Sequence, residues 1–275
     1  MSSRKFTWLP VHRKVESSRS SALQIVDIEQ HNLEIHENRH HWERKPVLRK
    51  IYLEFYQQIA RWLLPSGEGV SLELGSGMGN IKEVLPDCLT SDLFPNPWLD
   101  RVENAYALNW PDGSIRNLIL FDVWHHLQYP GTALREFARV VRPGGRLVLF
   151  EPGMGSIARV VYRLCHHEPL GFGQPITWDA PAGFDPHNHP YYAAQGNAWR
   201  LAVEQEEQER LKGWRLIKVV RIPAWSWMMC GGLRGPQIYP DFLLPMMRGV
   251  DAILGLWPSL FASRLMVVLE REDTP

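Results

Sequence analysis

A chain of 275 residues with 30 acidic and 30 basic side chains has no net field to gather nucleic acid, which argues against a nucleic-acid partner. Its three cysteines, Cys88, Cys165 and Cys230, are odd in number and far apart, so they suit free thiols in a reducing compartment rather than a disulfide frame or a zinc site. The opening residues MSSRKFTWLPVHRK hold no apolar run of leader length, and one elaborated cytoplasmic domain is expected.

Residues 1 to about 30 mix basic and hydroxyl side chains without a period and read as a loosely packed arm. From His40 to Leu64, Val47, Leu48, Ile51, Phe55, Ile59 and Leu63 recur at helical spacing, with Arg44, Lys45, Arg49 and Lys50 on a basic flank. Such a helix packs its stripe on a sheet, and His41, Trp42 and Arg49 are candidates for one wall of a ligand pocket. Residues 1–66 are therefore read as arm and helical cap, and 67–275 as the main domain. Val70 to Leu74 alternates as a short buried strand, and Gly75, Gly77 and Gly79 then make a turn tight enough for backbone to approach a ligand. Their spacing is not the dinucleotide fingerprint. Gly79-Asn80 is expected to start a helix, and Asp87 to Asp92 a second strand ending in a carboxylate. Asp92 stands seventeen residues after Gly75, about where an acid in a doubly wound sheet reaches ribose hydroxyls; the alternative is a turn cap before Phe-Pro-Asn-Pro.

The run Leu118 to Leu127 has the length and apolarity of a central parallel strand, and it finishes in His125 and His126. A helix over Gly131 to Val141, the turn Arg142-Pro143-Gly144-Gly145 and a strand Arg146 to Pro152 follow, so strands and helices alternate as in a parallel sheet covered on both faces. Residues 214–222 and 263–271 carry strand periods. Two long stretches interrupt the pattern. Residues 153–213 hold Cys165-His166-His167, then Asp185 to Tyr192 and Gln195-Gly196-Asn197, and read as a substrate-recognition insertion with His187, His189, Tyr191 and Asn197 as polar contacts. The histidines there match no metal-site spacing, and no metal is expected. Residues 223–262 resemble a membrane segment until Pro245, Arg248, Asp251 and Pro258 are counted; a lid or core helix is expected, with a membrane-surface contact as the alternative.

The ordered pieces LELGSGMGN, SDL, ALNWPDGSI, VWHHL and LREFARVVRPGGRLVLFEP resemble the class I S-adenosylmethionine-dependent methyltransferases of the small-molecule type, over about Val70 to Pro152. The resemblance implies a Rossmann-like α/β fold: a doubly wound, mostly parallel seven-stranded sheet with a reversed last strand. It implies that Glu73, Gly75, Gly77 and Gly79 back the cofactor, that Asp92 with Leu93 holds its ribose, and that Asn104 and Ala105 contact adenine. Asp122 completes the cofactor set. The chain departs from the family by having Asn104 and Arg116 where aspartates are frequent. His125 and His126 stand where the family faces the transferred methyl, and one of them, with preference for His126, is expected as general base for an oxygen acceptor. The N-terminal helix with this core also looks, more loosely, like methyltransferases of bacterial surface-polysaccharide assembly, which suggests a glycan or lipid-linked sugar. A non-catalytic S-adenosylmethionine-binding subunit is the competing expectation, and a nicotinamide oxidoreductase lacks its glycine spacing.

Overall fold

The computed structural model describes residues 23–24, 28–166, 168–188, 191–206 and 208–273. The expected loose arm falls almost wholly outside them. A two-residue strand, β1 (Leu23–Gln24), precedes α1 (Ile28–Arg44) and α2 (Pro46–Ala60). The single helix expected over 40–64 is thus broken at Lys45, because the residue before a proline is pushed out of the helical region; its φ and ψ are −116° and 83°. Lys45 Nζ then donates to the carbonyls of Gly232, Leu233 and Gly235 at 2.5–3.0 Å, which pins the break to a distant loop. Helix α2 buries Val47, Leu48, Ile51, Phe55 and Ile59, the expected stripe, together with Tyr52 and Tyr56.

The strands that follow are β2 (Val70–Leu74), β3 (Leu89–Asp92), β4 (Arg101–Val102) and β5 (Ile115–Phe121). Helix α3 (Pro130–Val140) leads into β6 (Val141–Pro152), and α4 (Ser156–Cys165) opens the first insertion. That insertion carries β7 (Tyr191–Tyr192), which pairs antiparallel with β1, and α5 (Asn197–Ala202). Strand β8 (Trp214–Ile222) precedes α6 (Trp225–Met229), α7 (Leu244–Leu254) and α8 (Pro258–Phe261), so the second insertion has elements of its own before β9 (Arg264–Arg271).

Seven strands form one sheet in the order β4-β3-β2-β5-β6-β9-β8. Strands β2 to β6 run parallel, with Leu72 opposite Leu118 and Phe121 opposite Phe150. Only β9 is reversed, antiparallel to both β6 and β8. Strand β5 is apolar on both faces because both are covered. Leu118, Leu120, Leu147 and Leu149 meet α3 and α5 on one side, whereas Ile119, Phe121, Val148 and Phe150 meet α2 and α7 on the other.

Two local expectations are corrected. No α-helix follows the glycine turn: Asn80–Glu83 is a single 3-10 turn, which Pro86 ends by disfavouring helix at Leu85. The strand carrying His125 and His126 ends at Phe121, and Trp124–His126 form another 3-10 turn closed by His126 N to Val123 O at 2.9 Å. The two histidines therefore do not alternate across a strand.

Candidate active site

The carboxyl ends of β2, β3, β5 and β6 converge, as expected for a ligand crevice in an open parallel sheet. After β2 the chain turns with Gly75, Gly77 and Gly79 at φ +66°, +53° and +70°. A Cβ on Gly75 would sit 2.3 Å from Val123 Cγ2, whereas one on Gly77 would meet nothing within 4 Å. Gly75 therefore locks the turn against the segment leading to the histidines, and Gly77 lines open space. Gly75→Ala should lose about 2–4 kcal/mol from clash plus left-handed strain, against about 1–2 kcal/mol for Gly77→Ala from strain alone. Urea unfolding of both variants checks this, and equal losses would contradict the packing argument.

Asp92 ends β3 with its side chain folded back on the turn: Oδ2 accepts from Gly77 N at 3.0 Å and Oδ1 from Leu93 N at 2.7 Å. Ser76 and Ser91 hydroxyls both donate to Glu73 O, at 3.2 and 2.8 Å, which knits β2 to β3 below it. The Glu73 carboxyl is 1% exposed, and among the described residues neither oxygen lies in well-formed hydrogen-bond geometry. Burial pushes it up to about 8, with the Asp92 charge adding to the shift.

Beyond β5, Asp122 has φ +57° and pairs with Arg264 Nη2 at 2.8 Å. Arg264 is 1% exposed and lies over the rings of Phe150, Phe121, Trp227 and Phe55 at 4.8–5.8 Å. In the 3-10 turn, His125 Nδ1 and Glu151 Oε2 are 2.6 Å apart, while Glu151 Oε1 accepts from Val123 N and Trp124 N at 2.8 and 2.7 Å. His125 Nε2 faces Glu168 Oε2 at 3.5 Å. Burial alone would lower the pKa of His125, but Glu151 and Glu168 outweigh it and carry it up to about 10. His126 is lowered to about 4 by burial and by the neighbouring His125 charge. Its Nδ1 contacts Tyr192 O at 3.0 Å; a carbonyl only accepts, so Nδ1 bears the proton and Nε2, 3.8 Å from Glu168 Oε1, is the acceptor nitrogen.

The structure thus brings together Glu73, the glycine turn, Asp92, Asp122, His125 and His126. Leu93 is exposed beside Asp92, and Ala105 is half-buried. Asn104 donates to Pro186 O at 2.6 Å and accepts from Tyr106 N at 2.9 Å, which ties the expected adenine region to the first insertion. Trp42 is buried edge-on to Tyr52, in the core cluster with α2. Arg49 pairs with Glu83 at 2.7 Å on an exposed flank. His187 is exposed, and its amide donates to Asp185. Asn197 is buried at the start of α5, where Arg200 donates to it at 3.4 Å. His189 and the side chain of Tyr191 lie outside the described residues. Glu151, Glu168 and Arg264 escaped the sequence reading, and Gln195 figures there without a role. For Glu151 a signal existed, a carboxylate at the end of an apolar strand beside the central one; Glu168 and Arg264 offer none until the chain is folded.

Residues 72–149 match the family model described as a methyltransferase domain. A curated relative, the 2-methyl-6-phytyl-1,4-hydroquinone methyltransferase of Synechocystis sp. (strain ATCC 27184 / PCC 6803 / Kazusa), is 26% identical over 72% of this chain and 66% of its own length. The chain thus spans just under two thirds of that relative. Among solved structures, an S-adenosylmethionine-dependent methyltransferase from Thermotoga maritima aligns with TM-score 0.49 and 14% identity over 88% of this chain and 100% of that one. Another from Archaeoglobus fulgidus aligns with TM-score 0.47 and 12% identity over 81% and 94%.

The residues suit the cofactor of that family. A buried carboxyl at Glu73 matches an α-ammonium, the open face of Gly77 admits a ligand against backbone, and the Asp92 carboxylate stands at the end of β3 against that turn, where ribose hydroxyls can reach an acceptor. A domain match over residues 72–149, a curated methyltransferase as relative and an antiparallel β9 set between β6 and β8 point the same way: the chain carries a methyltransferase domain and is similar to the class I S-adenosylmethionine-dependent methyltransferases.

Proposed function

We propose that the protein methylates an oxygen of a small molecule or of a glycan or lipid-linked sugar, with His126 receiving the acceptor's proton. The observation that carries this reading is the turn Val123 to His126, packed on Gly75 at one end and bearing the two histidines at the other. S-adenosylmethionine supplies a methyl group on a positively charged sulfur. The protein's own part is to hold the ammonium at Glu73 and the ribose at Asp92, to align the acceptor and to exclude water. His125 is pinned between two carboxylates and serves to orient the turn. His126 keeps Nε2 as an acceptor nitrogen, and its side chain is 28% exposed against 3% for His125, so it is the histidine that meets an entering hydroxyl.

A lipid-linked acceptor gains support from the surface. Val160 and Leu164 on α4, with Leu256, Trp257 and Leu260 near α8, are exposed apolar side chains on contacting elements, and the exposed Arg163 stands beside them on α4, whereas Arg159 is paired with Glu204 at 2.8 Å. The curated relative is named for a phytyl-bearing hydroquinone, also a lipid-soluble ring. No helix among the described residues is long and apolar enough to cross a membrane, so this reading is one of peripheral contact.

The test is transfer of labelled methyl from S-adenosylmethionine to lipid and glycan fractions of a cell envelope. The expected result is incorporation by the wild type and at least a 100-fold loss in His126→Ala with unchanged cofactor affinity by calorimetry. Full turnover in His126→Ala removes the base assignment. Cofactor binding without incorporation into any fraction favours a cofactor-binding subunit instead.

A further inference from the structure

The side chains of His125, His126 and Glu168 come from a turn after the central strand and from the first insertion, and their placement exceeds what proton transfer needs. Nε2 of His125 lies 3.5 Å from one Glu168 oxygen and Nε2 of His126 lies 3.8 Å from the other. One ligand atom from each of the three residues falls within 4.8 Å of the others. Ligand atoms bound tetrahedrally at about 2.1 Å from an ion stand about 3.4 Å apart, so small movements would seat one. We infer that His125, His126 and Glu168 bind a divalent transition-metal ion of the zinc class.

Three further observations support the assignment. Each histidine turns Nδ1 to an atom that only accepts, Glu151 Oε2 at 2.6 Å and Tyr192 O at 3.0 Å, so each Nε2 is the nitrogen that faces Glu168, and an ion would take the place of the proton His125 holds there. A buried carboxylate behind a ligating imidazole is the usual outer partner of a metal-bound histidine. The charge also fits, because Glu151 and Glu168 bring two negative charges to two imidazoles that are neutral as ligands, while Asp122 is engaged with Arg264. Finally, Gln195 is 2% exposed and donates through Nε2 to Glu168, yet its Oε1 is buried with no hydrogen-bond partner among the described residues. An ion carrying a water would give that orphaned oxygen a donor. Entry is from the side of His126, the most exposed of the three ligands. Two imidazoles and one carboxylate with a position left open is a common catalytic zinc set, and it also suits manganese, iron(II) or cobalt.

The inference shares His126 with the function proposed above and rests on that reading only for the consequence: with an ion seated, the ring is a ligand, and the ion's charge lowers the pKa of a hydroxyl bound to it. The competing occupant is a proton on His125, which satisfies the same two carboxylates.

The experiment is titration of chelator-treated full-length protein with zinc against a chromophoric chelator, and with cobalt(II) followed by its visible absorption. One zinc per chain is expected, weakened at least about 100-fold in Glu168→Gln and in His126→Gln, since even outer partners of metal ligands are worth 10–100-fold. Unchanged S-adenosylmethionine affinity in both variants reports that the fold is intact. Absence of stoichiometric zinc, or equal affinity in Glu168→Gln, overturns the site. Absence of stoichiometric zinc in protein that still transfers methyl overturns the site while leaving the function standing. Stoichiometric zinc lost in the variants, with no methyl acceptor found, upholds the site while the function fails.

Discussion

S-adenosylmethionine should bind about tenfold more tightly for each pH unit between about 5.5 and 7.5, and Glu73→Gln should abolish that slope. Glu73, the next-to-last residue of β2, is almost without exposure, and burial carries its pKa up to about 8. Ser76 and Tyr56 oppose the shift and the Asp92 charge adds to it. A ligand ammonium beside this carboxyl favours its charged form, so binding expels a proton that Glu73 still holds below about pH 8. The upper limit of the window is set by the ligand, whose α-amine loses its own charge near 7.7–8.0. Calorimetry in buffers of different ionisation enthalpy measures the proton released. A flat affinity in the wild type over this range would remove Glu73 from the cofactor site.

The same group predicts the stability of the ligand-free protein. Its folded pKa is raised from 4.5 to about 8, so its stabilising contribution is fully present below 4.5 and is lost as the pH rises towards 8. Relative to Glu73→Gln, which mimics the protonated carboxyl, the wild type should lose as much as about 5 kcal/mol across that window. Urea unfolding of both proteins at about pH 5 and pH 8 reads the difference.

Arg264→Met should cost about 3–5 kcal/mol, and Asp122→Asn added to it should restore most of that loss. Arg264 is enclosed by Phe55, Phe121, Phe150 and Trp227, and its partner Asp122 is held in the left-handed region at the end of the central strand. Removing the guanidinium leaves a largely desolvated carboxylate without its cation, and burial, which already raises the pKa of Asp122, is then opposed less strongly. Methionine fills the aromatic enclosure without a charge, so the loss reports the unpaired acid rather than a cavity. Losses that simply add in the double variant would show that the two side chains act independently. Because Asp122 immediately precedes Val123, which packs on Gly75, cofactor affinity should fall with stability in the single variant.

Much of this molecule was legible residue by residue. The α2 stripe and strand β8 follow from periods that act over a few neighbours and agree with the structure within a few residues, whereas the central strand ends six residues before the expected Leu127 and the expected turn at Arg142 to Gly145 falls within β6. The glycine turn with Asp92 was equally local in signal, because positive φ at alternate positions demands glycine whatever lies around it. The helix after that turn was misjudged for a local reason too, the stop at Pro86. The state of the histidines belonged to another level. The run Leu118 to Leu127 put them at the end of a strand, yet in the folded chain they share a 3-10 turn, and against burial Glu151 and Glu168 raise the pKa of one while burial lowers that of the other. Arg264 likewise gained its meaning only when β9 laid it among rings from α2, β5 and β6. The sequence by itself determined most of the strands, the glycine turn and the likeness to methyltransferases. The tertiary structure alone decided which carboxylates surround the histidines, because burial and charge pairing depend on groups that only the folded sheet and the returning insertion bring within a few ångströms.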